Sequence, residues 1–138
     1  MVFSPAHAMS TSPFFITERS EKLQNTQDYH QLISQLCHEL AELRYPGQGE
    51  ALAASALERE GLEPTFVGRG LAVPHARVEG LYEAAVYIAR GEGIDWGGNK
   101  ADTVVLLVVP ADQPELYLTM LSEVIRWRMH GKSTLIPG

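Results

Sequence analysis

The sequence is poor in cysteine, in lysine and in long apolar runs. It has one cysteine in 138 residues, Cys37, so an intrachain disulfide is impossible and a reducing compartment is the simplest expectation. Only three lysines are present and the formal net charge is −6, which argues against nucleic acid or an anionic membrane as the main partner. No apolar run approaches the roughly 20 residues of a membrane helix, and no basic segment precedes an apolar stretch at the N-terminus. We therefore expect a cytoplasmic domain with neither direct membrane insertion nor a secretory signal.

Metal and cofactor motifs are also missing. His7, His30, His38 and His130 have no ligand spacing with one another or with Cys37, so no metal is expected. The glycines between residues 91 and 98 are not followed by the Lys-Ser/Thr pair of a phosphate-binding loop, so they favour a turn between strands. No cofactor is predicted.

The length suits a single domain, and the apolar pattern indicates its elements. Residues 1–25 are rich in Ser, Thr and Pro and lack a period, which predicts a disordered or loosely docked N-terminal arm before a domain spanning 26–138. In that domain the pattern predicts three helices: one capped by Asp28 and ended at 45–47, one over 50–60 stopped by Gly61, and one opened by Pro114. Between the second and third helices it predicts a short strand, 71–73, and two longer strands, 84–90 and 103–109. This order predicts an α/β fold, a single domain with a mixed β-sheet flanked by helices.

His75 is the residue on which chemistry is expected to centre. Pro74 restricts the backbone next to its imidazole, which is largely uncharged at neutral pH and can act as a nucleophile. Arg59, Arg69 and Arg77 surround it in sequence, and arginine donors match a phosphoryl group. A histidine after a proline is more often a loop residue that only satisfies a hydrogen bond, so these residues alone leave both readings open.

The stretch ALEREGLEPTFVGRGLAVPHAR, residues 56–77, resembles the signature of a known family. It is similar to the type-2 IIA domains of the bacterial phosphotransferase system, the fructose/mannitol and nitrogen-regulatory class. Arg-Glu at the end of a helix, a threonine, two glycines and Ala-x-Pro-His stand at the family's spacing, and GIDWGGNKADTVVLLVVPADQPELYLTML extends the likeness. The matching residues are Arg59, Glu60, Thr65, Gly68, Gly70, Ala72, Pro74 and His75.

The resemblance implies a phosphocarrier or regulatory domain. His75 would accept a phosphoryl group from a histidine phosphocarrier protein and pass it to a protein acceptor, or would signal by its phosphorylation state. Arg59 would be the stabilising cation, with Thr65, Gly68, Gly70 and Tyr117 lining the bound group. Because the sequence contains no sugar-binding membrane portion, we favour the nitrogen-regulatory branch over a complete sugar importer.

Three departures from the family pattern keep a rival hypothesis open. Tyr117 stands where the family has a second histidine, and Pro64 and Phe66 replace small residues. The C-terminus is shorter than usual in the family, which would leave an edge for a partner or a homodimer to cover. The rival is a non-catalytic regulatory docking module, associated with a transporter. Retention of both Arg59 and His75 opposes it.

Overall fold

The computed structural model describes residues 14–131 and Ile136. The described elements, in chain order, are β1 (Phe14–Glu18), α1 (Tyr29–Arg44), α2 (Gly49–Leu62), β2 (Phe66–Gly68), β3 (Leu71–Ala72), β4 (His75–Val78), β5 (Ala84–Trp96), β6 (Asn99–Pro110) and α3 (Leu116–His130). None of the helices in this part of the chain is both long and apolar enough to cross a membrane.

The strands form one mixed sheet. Its order is β1-β5-β6-β3-β2, and β4 continues the β3 side of β6. β5 and β6 are antiparallel, whereas β1 runs parallel to β5 and both β3 and β4 run parallel to β6. The predicted mixed α/β fold is confirmed.

Strand β6 is buried on both faces, as its uninterrupted apolar run predicts. Val104, Leu106 and Val108 pack into a core that includes residues of α1 and α2. The alternate residues, including Leu107, join a second core with α3. Helices therefore cover both faces of the sheet, and alternation along a strand decides which helix a side chain meets.

The two N-terminal helices follow the sequence pattern closely. Asp28 caps α1, because its carboxylate accepts the Gln31 N–H at 3.0 Å. The prediction that Gly61 stops α2 is wrong: the helix continues to Leu62, and Glu63 follows in extended conformation. Arg59 lies in the last turn of α2, as expected.

The predicted N-terminal arm is wrong for residues 14–25. Phe14 is 4% exposed within β1, and Leu23 is 1% exposed in the core. The Leu23 N–H donates to the carbonyl of Arg90 at 2.9 Å, and its carbonyl accepts the Glu92 N–H at 3.1 Å. This segment lacks an obvious period because it pairs along the edge of β5 through backbone groups. Residues 1–13, the rest of the predicted arm, lie outside the described residues.

The predicted Gly-rich connection between the two long strands is also wrong over most of its length. β5 and β6 continue as a hairpin that turns at Gly97 and Gly98, whose φ angles are +60° and +97°. Gly91 lies within β5, at a position where a side chain would not fit: a Cβ there would be 2.4 Å from the Leu23 backbone nitrogen. Glycine therefore marks a close approach of two backbones here.

The late helix α3 begins at Leu116, two residues after Pro114. Trp127 is 7% exposed, because it packs in the second core and the Arg90 guanidinium lies over its ring. Cys37 is fully buried on α1, and burial raises the pKa of its thiol to about 12. A thiol in this environment is a core residue and not a nucleophile.

Candidate functional site

His75 is the first residue of β4. The sequence pattern suggested a loop at this position, and the structure has a strand. It pairs with Leu107 of β6, so its half-buried side chain is on the sheet face covered by α3. The ring nitrogen Nδ1 lies 3.4 Å from the carbonyl oxygen of Val73, a long hydrogen bond. If Nδ1 carries the proton, the lone pair of the neutral ring is on Nε2.

Tyr117, in the first turn of α3, lies against His75. The centroids of the two rings are 4.4 Å apart and the ring planes are tilted by 36°. Both side chains line a cleft of about 100 Å³ with Arg77, Val109 and Pro114. Tyr117 therefore lies next to His75, the arrangement expected of two residues that line one bound group.

Arg59 lies on α2, which packs along the open edge of β4. Ser55, one turn earlier, accepts the Arg77 N–H at 2.9 Å and donates to the Arg77 carbonyl at 3.2 Å, so α2 covers this edge. Residues four apart share one face of a helix, which places Arg59 alongside the preceding part of β4. Its guanidinium donates to the Glu63 carbonyl at 2.8 Å. The positive charge of Arg59 lowers the pKa of the His75 ring.

The pKa of His75 lies below its ordinary value. Burial is the main cause, because a partly buried ring disfavours its charged form. The Val73 carbonyl acts in the opposite direction, Arg59 lowers the pKa further, and the Glu60 carboxylate raises it. The net effect keeps the imidazole neutral, with a free lone pair, to lower pH than an exposed histidine.

Thr65 is near the site but does not offer free donors to a ligand. It is 6% exposed, and both its N–H and its hydroxyl donate to the Glu60 carboxylate at 2.7 Å. Its carbonyl accepts the Val73 N–H at 3.0 Å. All of these polar groups have partners within the protein, so the predicted binding role of Thr65 stays a prediction.

Gly68 and Gly70 are not brought to His75. The Gly70 carbonyl accepts from the N–H groups of Asp102 and Thr103, whereas His75 pairs with Leu107. Thr103 and Leu107 are four residues apart on β6, about 13 Å at 3.3 Å per residue. The predicted phosphate-binding role of these two glycines is thus wrong. With φ angles of +103° and +77°, they form the turn between β2 and β3, which lies beside the Thr103 end of β6 and away from Leu107. Arg69, between them, is equally distant.

The sequence named Arg77 only as one of three arginines near His75, and it gave Glu60 no role of its own. Arg77 lies two positions after His75 on one strand, so both side chains are on the same face of β4. Recognising β4 as a strand would have revealed this pair. Glu60 is 3% exposed and receives hydrogen bonds from Thr65 and Trp96. The sequence signal for the burial of Glu60 was its position four residues after Ala56, on the same face of α2.

The fold and this site agree with the family resemblance. Residues 14–134 match the family described as "Phosphoenolpyruvate-dependent sugar phosphotransferase system, EIIA 2". The chain belongs to this family of phosphotransfer and regulatory domains of the phosphotransferase system.

Curated relatives of the chain are longer proteins or match over part of it. The transcriptional regulator ManR of Bacillus subtilis (strain 168) is 29% identical over 116 residues, which are 83% of this chain and 17% of that protein. The 2-O-alpha-mannosyl-D-glycerate-specific EIIABC component of Escherichia coli (strain K12) is 37% identical over 59% of this chain and 13% of its own length. The fructose-specific EIIA component of Haloferax volcanii is 36% identical over 59% of this chain and 55% of its own length. The chain thus spans at most about half the length of these relatives.

Solved structures share the fold. The nitrogen regulatory protein IIA-Ntr of Neisseria meningitidis superposes with a TM-score of 0.58 at 20% identity, covering 94% of this chain and 88% of that one. IIA mannitol of Escherichia coli gives 0.55 at 22% identity, covering 72% and 74% of the two chains. A further similar structure, with a TM-score of 0.55 at 20% identity, is the Escherichia coli complex of enzyme IIA mannitol and phosphorylated enzyme IIB mannitol; it covers 83% of this chain and 79% of that one.

Proposed function

We propose that this chain accepts a phosphoryl group on Nε2 of His75 from a phosphorylated histidine phosphocarrier protein. It then passes the group to a protein acceptor or signals by its phosphorylation state. The observation that carries the proposal is the hydrogen-bonding of the ring: within the described part of the chain, His75 is bonded through Nδ1 alone, to the Val73 carbonyl. Nε2 is thus left as the nucleophile, in a cleft shared with Arg77 and Tyr117.

The transfer step requires little covalent chemistry from the protein. The lone pair of Nε2 attacks phosphorus, the P–N bond to the donor imidazole breaks, and the donor nitrogen leaves with its electron pair. The proton on Nδ1 remains on His75, where the Val73 carbonyl supports the positive character that the ring gains. The lowered pKa of His75 favours this step, because only the neutral ring is a nucleophile.

Charge stabilisation falls to arginine. Arg59 acts electrostatically on His75, and Arg77 lines the same cleft. Guanidinium groups match the equatorial oxygens of a transferring phosphoryl group, whose stabilisation is mostly a matter of positioning and charge. Arg59 is the cation that the family resemblance implies, and Arg77 is added from the geometry.

Tyr117 supports the second candidate, a regulatory docking module without transfer. Its ring occupies one face of His75 at 4.4 Å between centroids, where a second histidine would provide a group that titrates near neutrality. The relatives include both a transcriptional regulator and transport components, so their names are compatible with either role. The nitrogen-regulatory branch stays a prediction, since structures of both branches share the fold at 20% and 22% identity.

Labelling separates the two candidates. The protein is incubated with the phosphocarrier, its upstream kinase and phosphoenolpyruvate, and acid-labile, base-stable phosphate is measured over time. We expect wild type to label, His75→Ala to abolish labelling, and Arg59→Ala to slow it by about 100-fold, as when one preorganised charge-stabilising donor is lost. The matched controls are His130→Ala and Arg69→Ala, which change the same residue types away from the cleft and should label at the wild-type rate.

Tyr117→His decides the role of the tyrosine. If wild type labels readily, the docking-only candidate is wrong and Tyr117 is compatible with transfer. If wild type does not label but Tyr117→His does, the docking module is the better description. If neither labels with a donor that phosphorylates another IIA domain, the phosphoryl-acceptor proposal is wrong.

A further inference from the structure

A buried carboxylate lies at the end of α2, next to the candidate site. Glu60 is 3% exposed, and its two oxygens receive three hydrogen bonds. The Thr65 N–H and the indole N–H of Trp96 donate to Oε2 at 2.7 and 2.9 Å, and the Thr65 hydroxyl donates to Oε1 at 2.7 Å. A buried carboxylate is costly unless it is fully hydrogen-bonded, and this one is held in a single position.

On one side of Glu60, the hydrogen bonds continue from residue to residue as far as His75. Thr65, fixed by Glu60 through both its N–H and its hydroxyl, accepts the Val73 N–H on its own carbonyl at 3.0 Å. The carbonyl of Val73 in turn lies 3.4 Å from Nδ1 of His75. Hydrogen bonds thus connect the carboxylate to the ring through two residues, Thr65 and Val73.

The other side of the network anchors it in the core. Trp96 is fully buried, and its ring lies 4.7 Å from that of Tyr29, between centroids. Breaking the bond from Trp96 to Glu60 would therefore disturb the core without touching the path to His75. This arrangement supplies a matched control.

We propose that Glu60 is a positioning residue for His75: by fixing Thr65 and, through it, Val73, it keeps the proton of the neutral ring on Nδ1 and the lone pair on Nε2. The inference rests on the proposed function, since it explains how the nitrogen that would accept the phosphoryl group keeps its lone pair. The role is geometric, so it requires the hydrogen bonds of the carboxylate and not its charge.

The first test needs no phosphoryl donor. Two-bond ¹H–¹⁵N correlation spectra of histidine-labelled wild type give the ratio of the Nδ1–H to the Nε2–H tautomer of neutral His75. We expect Nδ1–H to dominate. A predominantly Nε2–H ring in wild type overturns the proposal.

The second test compares two variants of the same network. Glu60→Ala should lower the tautomer ratio about fivefold, the equilibrium equivalent of one ordinary hydrogen bond. It should also slow phosphorylation by about 10- to 100-fold, because the reacting nitrogen is misplaced. Trp96→Phe should destabilise the fold, measured by thermal unfolding, but leave the tautomer ratio unchanged. An unchanged ratio in folded Glu60→Ala, or an equal change in Trp96→Phe, overturns the proposal.

Glu60→Gln separates geometry from charge. A glutamine can still accept from Thr65 and Trp96 on its carbonyl oxygen and donate its amide to the threonine hydroxyl. We therefore expect the wild-type tautomer ratio, and a large loss of Nδ1–H in this variant contradicts the geometric role. If Glu60→Ala does not fold, Glu60→Asp replaces it: the shorter carboxylate cannot reach both partners, the ratio should fall, and an unchanged ratio overturns the proposal.

The two proposals fail in different ways. A ratio that responds to Glu60→Ala, in a protein that no competent donor labels, supports the positioning and overturns only the phosphoryl-acceptor proposal. Ready labelling with a ratio that does not respond overturns only the positioning.

Discussion

The contact between Leu23 and β5 offers a quantitative test of where the folded domain begins. Leu23 is 1% exposed, so Leu23→Ala removes a fully buried side chain at a cost of about 3 kcal/mol in the free energy of unfolding. Gly91→Ala attacks the same contact from the other side, because the added Cβ would lie 2.4 Å from the Leu23 nitrogen and 2.5 Å from its oxygen. Relieving that overlap costs about 1–3 kcal/mol.

Urea unfolding followed by circular dichroism measures both effects. With a slope of about 2 kcal/mol per M, Leu23→Ala should lower the midpoint by about 1.5 M. The double variant should cost less than the sum, since both changes disrupt one contact. Leu43→Ala, at a leucine that is 56% exposed, is the control and should stay within about 0.5 kcal/mol of wild type. If Leu23→Ala is as mild as this control, residues 14–25 are the loosely docked arm that their composition suggests, and the docking described here is wrong.

Three further predictions concern the site and its support. In an NMR titration, His75 should titrate below about 6.5, and Arg59→Ala should raise its pKa because a cation that disfavours the imidazolium is removed; an unchanged value would mean that Arg59 does not act on the ring. Tyr117→Ala should also raise this pKa, since burial is the main cause of the shift and the tyrosine covers one face of the ring; a lower value would contradict that cause. Arg19→Ala breaks the ion pair with Glu39 and should lower the free energy of unfolding by about 2 kcal/mol in urea unfolding. The cost is less than that of breaking a fully buried pair because Glu39 is partly exposed. A change under about 0.5 kcal/mol would contradict this ion pair.

The parts of the fold with strong periodicity could be predicted from the sequence. The apolar spacing of α1, its Asp28 cap and the doubly buried strand β6 are local signals that tertiary contacts reinforce. The failures occur where tertiary contacts override local signals. Gly91 indicates a loop when read alone, but it allows the Leu23 backbone to approach. The β4 strand, too short to show alternation, exists because β6 offers it a parallel partner.

The candidate site was predictable in its centre and not in its surroundings. His75 was indicated by the residues around it and then by the resemblance, which also gave Arg59 and Tyr117 their roles. The two rings of His75 and Tyr117 are in contact, and the charge of Arg59 lowers the pKa of His75. Gly68 was assigned to the site by the resemblance, but the strand that follows carries His75 about 13 Å away from that turn. Side chains two residues apart share a face of a strand, so Arg77 lies on the same face of β4 as His75. This position could be predicted only by recognising that His75 lies in a strand.

The most direct test of the account is the position of the phosphoryl group on the phosphorylated protein. Protein labelled with ¹⁵N-histidine is phosphorylated by the phosphocarrier system, and two-bond ¹H–¹⁵N spectra identify the modified nitrogen. We expect a single phosphohistidine, at Nε2 of His75, with Nδ1 still protonated. Phosphate on Nδ1 of His75, on any other residue, or on none with a competent donor would contradict it.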